Sequence, residues 1–136
     1  MIKLIKDIKE NVTVDYMNQY KYHLTEEQAK LVNDHSWVVC LCGSTRFKEL
    51  FMQINREFTK QGAIVLMPGV WGHSGDTVTD KEKEKLDKLH RQKIMMADIV
   101  YIVNPDHYIG ESTKKEIEFA KSLDKIIYYF DGGSEK

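Results

Sequence analysis

The chain has 136 residues, a length that suits one domain built around one core. Hydrophobic residues make up 42% and charged residues 30%, the balance of a soluble globular protein rather than a disordered or fibrous one. A formal net charge of −1 provides no global field for nucleic acid or an anionic membrane, so neither is expected as a partner.

The N-terminal MIKLIKDIKE intersperses lysines among apolar residues and lacks the apolar core of a signal peptide. The longest apolar-looking run without formal charge, residues 62–75, is too short to span a bilayer and contains Pro68 and Gly69. Residues 1–36 are expected to form a partly helical extension that packs on the domain or on a second subunit. Within it, Thr25-Glu26-Glu27-Gln28 has capping-box spacing and opens a helix through Ala29, Leu31 and Val32. No chemistry is assigned to this segment.

Residues 37–136 carry the domain. Trp37 to Cys42 is a continuous apolar run, the mark of a strand buried on both faces. Cys40 and Cys42 share one face of it but are spaced too far apart along an extended strand for a disulfide. A Cys-x-Cys pair can bind metal. No second Cys pair or His-x-x-x-His follows at zinc spacing, so two buried core thiols in a reducing cytoplasm are expected. Gly43-Ser44-Thr45-Arg46 reads as a turn. A helix then runs to about Gln61 with Phe47, Leu50, Phe51, Ile54 and Phe58 on one stripe, and Gly62 stops it.

Ala63 to Met67 reads as a second buried strand, ended by Pro68-Gly69. A long loop, 69–80, follows, and long ordered loops in compact domains are often binding loops. The next helix spans about Asp80 to Met96, with an exposed face dense in Lys and Glu. Asp98 to Val103 reads as the third strand, and Asp98 itself as structural. A third helix covers about Thr113 to Leu123. Lys125 to Phe130 is the fourth strand, and the polar tail is expected to fray.

Strands alternating with amphipathic helices indicate an α/β fold with right-handed crossovers. The expected architecture is a flavodoxin- or Rossmann-like three-layer sandwich with a parallel sheet of order 2-1-3-4. Its topological switch lies between the first and third strands, where such sheets bind ligands. The loops flanking that crevice are GSTR and NPDHYIGEST, with the 69–80 loop above.

Three constellations carry possible chemistry. In the first, Ser44 or Thr45 caps the following helix, whose free N–H groups attract anions, and Arg46 adds a fork for phosphate or carboxylate. An ordinary capped turn explains the same residues. Neither a P-loop nor a GxGxxG turn is present, which argues against P-loop nucleotide hydrolysis and NAD-dependent redox chemistry. In the second, Gly110 to Glu116, Thr113 and Glu116 have capping-box spacing. Glu116 also shares a helical face with Ala120 and Leu123, which aims it inward at the end of the sheet, where a carboxylate nucleophile could work. The third is His90, in step with Leu86, Ile94 and Ala97. It reads as a core or rim residue midway down its helix, with Asp87, one turn earlier, nearer the site. In the long loop, Trp71 or His73 could stack on a base and Asp76 could hold sugar hydroxyls.

The run LCGSTRF, the helix ending LHRQKIMMAD, the strand IVYIVN and the element GESTKKEIEFA together resemble the nucleoside 2-deoxyribosyltransferase-like superfamily, which includes the deoxynucleoside 5′-monophosphate N-glycosidases. The resemblance covers roughly residues 37–130, and order and spacing carry it rather than any single motif. The G-x-S-T-x-x-E element is also similar to the glycine-rich Glu motif of nucleotide phosphoribohydrolases. The resemblance implies a Glu116 nucleophile that attacks C1′ of the sugar. It implies a glycosyl-enzyme resolved by water or a second base, Asp87 or His90 as the proton-handling partner, and no metal or organic cofactor. The residues around the crevice give the expected substrate contacts, Gly43, Ser44, Thr45, Arg46, Trp71, Asp76, Gly110, Ser112 and Thr113, and the resemblance implies a homo-oligomer, dimer or larger. The sequence departs from the transferases where His90 stands eight residues before Asp98 in place of an Asp, and where Gly110 falls near another family acid. The alternatives are a non-catalytic module binding a nucleotide or an ADP-ribose-like ligand, and an interaction protein using its N-terminal segment.

Overall fold

Continuous burial along the first strand sets the architecture. A computed structural model describes residues 25–32 and 36–132. In it β1 (Val38–Gly43) pairs in parallel with β2 (Ile64–Leu66) on one side and β3 (Ile99–Val103) on the other, and β4 (Ile126–Tyr129) pairs in parallel with β3. The sheet order is 2-1-3-4, the expected α/β arrangement. Central β1 and β3 are buried almost throughout. By contrast β2 is not buried on both faces as its apolar run suggested: Ile64 is 42% exposed. Among the described residues it is an edge strand, paired with β1 on one side.

Odd-numbered Val39, Leu41, Tyr101 and Val103 face α2 (Lys48–Lys60), where Phe51, Ile54 and Phe58 form the inner stripe. Full burial of each such side chain contributes about 1.5–3 kcal/mol. Even-numbered Val38, Cys40, Cys42, Val100 and Ile102 face the other layer. They pack on Ile94 of α3 (Asp80–Met96) and on Ile117 and Ala120 of α4 (Glu111–Ser122). Three layers result. The period-2 geometry of β1 sends both cysteines toward α3 and α4.

The helix ends have local causes. Thr79 and Glu82 form a reciprocal capping box that starts α3 at Asp80. Its last carbonyls are held by Lys125 Nζ, which donates to Met95 O at 3.0 Å and Ala97 O at 2.6 Å. Gly62 follows α2 at φ 94°, the left-handed geometry that ends a helix at low cost for glycine. At the opposite end of the sheet from the crevice, Asp98 Oδ2 accepts from Val38 N–H at 2.9 Å, a structural bond between β3 and β1.

The capping box at Thr25 and Gln28 is present, opening α1 (Glu26–Val32). The remainder of the expected N-terminal extension and the tail from residue 133 lie outside the described residues. Among the described residues no helix is long and apolar enough to cross a membrane.

Candidate active site

A cleft of about 680 Å³ opens at the C-terminal edge of β1 and β3, within the size range of small-molecule sites. The turn after β1, the 69–79 loop, α3 and the start of α4 wall it. Gly43, Ser44, Thr45, Arg46, Gly110 and Ser112 all line it, as do Thr113, Glu116, Asp87 and His90.

Gly43 has a steric duty. A Cβ there would meet Val103 O at 2.6 Å and Phe51 Cζ at 3.3 Å, so only glycine allows β1 and β3 to close at this level. Ser44 caps a short 3-10 turn, Thr45–Phe47, rather than a helix. The expected anion-attracting helix start is therefore displaced: α2 begins at Lys48, with Phe47 as its N-cap and no side-chain cap bond. Ser44 Oγ instead accepts from Arg46 N at 3.3 Å and Arg46 Nε at 3.0 Å. The Arg46 guanidinium also lies 4.6 Å above the Tyr108 ring. These contacts aim a planar cation at the cleft mouth. Tyr108 lines the cleft and was not singled out in the sequence. An aromatic residue between a proline turn and the Gly110 cap was the available signal.

Thr45 ties the long loop down: its Oγ1 accepts from His73 N at 3.1 Å and its carbonyl from Ser74 Oγ at 2.8 Å. His73 lines the cleft, but two of the loop's expected ligand contacts do not. Trp71 is 7% exposed and packs edge-on against Phe51, with ring centroids 5.2 Å apart. Its large apolar surface is worth more in the core than at a loop tip. Asp76 Oδ2 accepts from Trp71 N–H at 2.7 Å, closing the loop on itself. Trp71 and Asp76 are thus structural, not substrate contacts.

Glu116 is not a capping residue. The helix starts one turn earlier than expected, at Glu111 with Gly110 as N-cap, so Glu116 sits in the second turn. From there it lines the cleft beside His90. Its Oε1 is fully buried and has no hydrogen-bond partner among the described residues. Burial pushes its pKa up to about 7, although nearby His90 pulls it down.

The expected ranking of Asp87 over His90 is reversed. His90 Nε2 lies 3.8 Å from Glu116 Oε1, whereas Asp87 is partly solvent-exposed and pairs with Lys83 at 3.3 Å. Asp87 lines the wall, and its charge raises Glu116's pKa. Because Glu116 enters a turn deeper than its capping-box reading implied, it meets the residue midway along α3.

The cysteines are buried core thiols, as expected, and both reach His90. Cys42 Sγ lies 3.2 Å and Cys40 Sγ 3.9 Å from His90 Nε2. Burial works against a charged His90, but contact with Cys40 and the charge of Glu116 outweigh it, and its pKa is raised. The Cys42 thiol beside it lowers Cys40 to about 6, with burial opposing and His90 assisting, while Cys42 is pushed well up. The distances favour Cys42 as the sulfur bonded to the ring, yet the acidity falls on Cys40. With protons shared among touching groups, that acidity belongs to the trio rather than to one sulfur. Their ligand atoms all lie within 4.8 Å of one another, a donor set able to hold a metal ion.

The geometry thus supplies a buried carboxylate of raised pKa, an imidazole beside it, a solvent-reached acid and a stacked arginine around one cleft. No protein-family model matches the chain, and a search of curated proteins found no match.

Proposed function

We propose that the protein cleaves or transfers at the N-glycosidic bond of a nucleoside or nucleotide, with Glu116 as nucleophile. The observation that carries this reading is the buried, unpartnered Glu116 Oε1 at the floor of a nucleotide-sized cleft. The resemblance of GESTKKEIEFA and LCGSTRF to the deoxyribosyltransferase-like superfamily supports it.

In the reaction, a Glu116 carboxylate oxygen forms a bond to C1′ as the C1′–N bond breaks and its electron pair leaves with the base. Asp87, reached by solvent on the cleft wall, exchanges the proton the base requires. Water, or the nitrogen of a second base, then adds to C1′, loses its proton and frees Glu116. His90 holds Glu116 toward its ionised form. Arg46, levelled on Tyr108, takes the 5′-phosphate, because a guanidinium fork fits phosphate oxygens in pairs. Gly110, Ser112 and Thr113 line the wall opposite the GSTR turn. Assembly into a homo-oligomer is proposed with it, and light scattering on the intact chain tests that part.

The test is incubation with deoxynucleosides and deoxynucleotides, with and without an acceptor base, following free base by chromatography. Base release that disappears in Glu116→Ala supports the mechanism. No release by the wild type, or equal release by the variant, overturns it. Saturable nucleotide binding by calorimetry without turnover would instead indicate the binding module.

A further inference from the structure

We propose that Cys40, Cys42 and His90, with Glu116 as the fourth ligand, form a binding site for a divalent cation of the zinc class. The four residues come from three elements. Two thiols project from one face of β1 and the imidazole from α3, with their ligand atoms all within 4.8 Å of one another, and the Glu116 carboxylate from α4 stands 3.8 Å from the imidazole on the cleft side.

The distances suit a tetrahedron. Zinc bonds of about 2.3 Å to sulfur and about 2.0–2.2 Å to nitrogen or oxygen place neighbouring ligand atoms about 3.4–3.8 Å apart. The corresponding separations here are 3.2 Å for Cys42 to His90, 3.9 Å for Cys40 to His90 and 3.8 Å for His90 to Glu116. These three separations from the imidazole straddle the required values, and Glu116, which lies outside the trio's 4.8 Å grouping, reaches the ion by a side-chain rotation. Two thiolates and an imidazole are soft and borderline donors. They select zinc over magnesium or calcium, which require oxygen-rich shells.

The site also accounts for what hydrogen bonding leaves undone. Glu116 Oε1 is buried without a partner, and a thiol is a weak substitute partner for a buried imidazole. A cation would satisfy all four groups. His90 and Glu116 line the cleft, so the ion has a route from solvent, and the cysteines lie behind them. Two thiolates and one carboxylate around a dication leave a single negative charge, with Lys93 lining the same cleft.

Metal occupancy would withdraw Glu116 from C1′, making the ion an inhibitor of base release. This consequence rests on the proposed glycosidic reading, whereas the metal site itself does not.

The experiment uses the untagged full chain, stripped with a chelator and titrated with cobalt(II). Expected are thiolate-to-cobalt charge-transfer absorption with intense tetrahedral visible bands, saturation at one equivalent per chain, and their loss when zinc is added. Cys42→Ser should weaken binding by more than about 100-fold, and Glu116→Gln by about 10-fold with the charge-transfer bands retained. Circular dichroism checks that each variant is folded, and His90→Gln provides the same test away from the strand core. Absence of charge-transfer absorption in the wild type overturns the site. So does equal binding by folded Cys42→Ser or His90→Gln. In parallel, one equivalent of zinc should lower base release at least about tenfold, by analogy with the loss of a ligand group's function. If the stripped protein releases no base, the glycosidic reading fails while the cobalt spectrum still decides the metal site. If zinc binds and base release is unchanged, the inhibitory consequence fails alone.

Discussion

His90 Nε2 stands 3.8 Å from Glu116 Oε1 across the floor of the cleft, and Cys42 Sγ lies 3.2 Å from the same nitrogen. This pair couples the carboxylate to the core of the sheet. The charge of His90 opposes the upward push that burial gives the proposed nucleophile's pKa.

Removing the carboxylate should abolish turnover. Glu116→Gln and Glu116→Ala are expected to reduce kcat for base release by at least about 10³-fold, since the proposed glycosyl ester forms on the Glu116 carboxylate. Single-turnover assays would also show no trapped sugar–protein adduct. Trapping on the variant at the wild-type rate would remove Glu116 from the mechanism.

Activity in chelator-treated protein should rise with pH through about 7, where burial places the Glu116 pKa. His90 opposes that upward shift, so His90→Gln should move the ascending limb to higher pH. A pH–kcat/KM profile measures both. An unmoved limb in the variant would mean that the imidazole does not act on Glu116.

The same shift makes a stability prediction with a definite sign. Glu116 is raised from 4.5 unfolded to about 7 folded, so between these values the folded chain binds the extra proton. Its contribution is fully present below about pH 4.5 and is lost as pH rises through 7. Raised His90 acts in the same direction. Glu116→Gln should therefore be more stable than the wild type at pH 8, by up to about 3 kcal/mol, and closer to it at pH 5. Thermal melts across this range, with chelator, decide it.

Gly43→Ala places a Cβ 2.6 Å from Val103 O, and the clash is with backbone that cannot swing away. A loss of about 1–3 kcal/mol is expected, read from urea unfolding. Wild-type stability in this variant would mean that β1 and β3 part easily at the cleft floor.

Arg46 should discriminate phosphorylated from unphosphorylated substrates. Arg46→Lys keeps the charge but loses the fork and the flat stack on Tyr108, so KM for a 5′-monophosphate should rise about tenfold with little change for the nucleoside. Tyr108→Ala should act in the same direction. Equal effects on both substrates would show that the phosphate lies elsewhere.

Long apolar periodicity made most of the fold legible. The run Trp37–Cys42, the Phe51–Ile54–Phe58 stripe and the alternation of strands with helices define layers that can be buried in very few ways, hence the 2-1-3-4 sheet. The cleft walls at Gly43–Arg46 and Gly110–Glu116 were legible because parallel sheets leave their crevice at the topological switch. Trp71 and Asp76 were misread because a loop's composition does not say which of its side chains fold back. Trp71 gained a core position against Phe51, and Asp76 an unpaired backbone N–H.

The sequence by itself determined the sheet, its order, the helix stop at Gly62, and a carboxylate facing inward at Glu116. These follow from local periodicity and short-range sterics, which neighbouring residues encode. Only the tertiary structure decided that Glu116 is freed from its capping role, that its neighbour is His90 rather than Asp87, and that Cys40 and Cys42 meet that histidine. Those contacts join residues 26 positions apart for His90 and Glu116, and 48 and 50 apart for the two cysteines and His90. They depend on a one-turn change in where a helix starts and on which face of β1 each side chain takes. Burial then does what no spacing can reveal: it leaves Glu116 Oε1 unpartnered and raises its pKa to about 7.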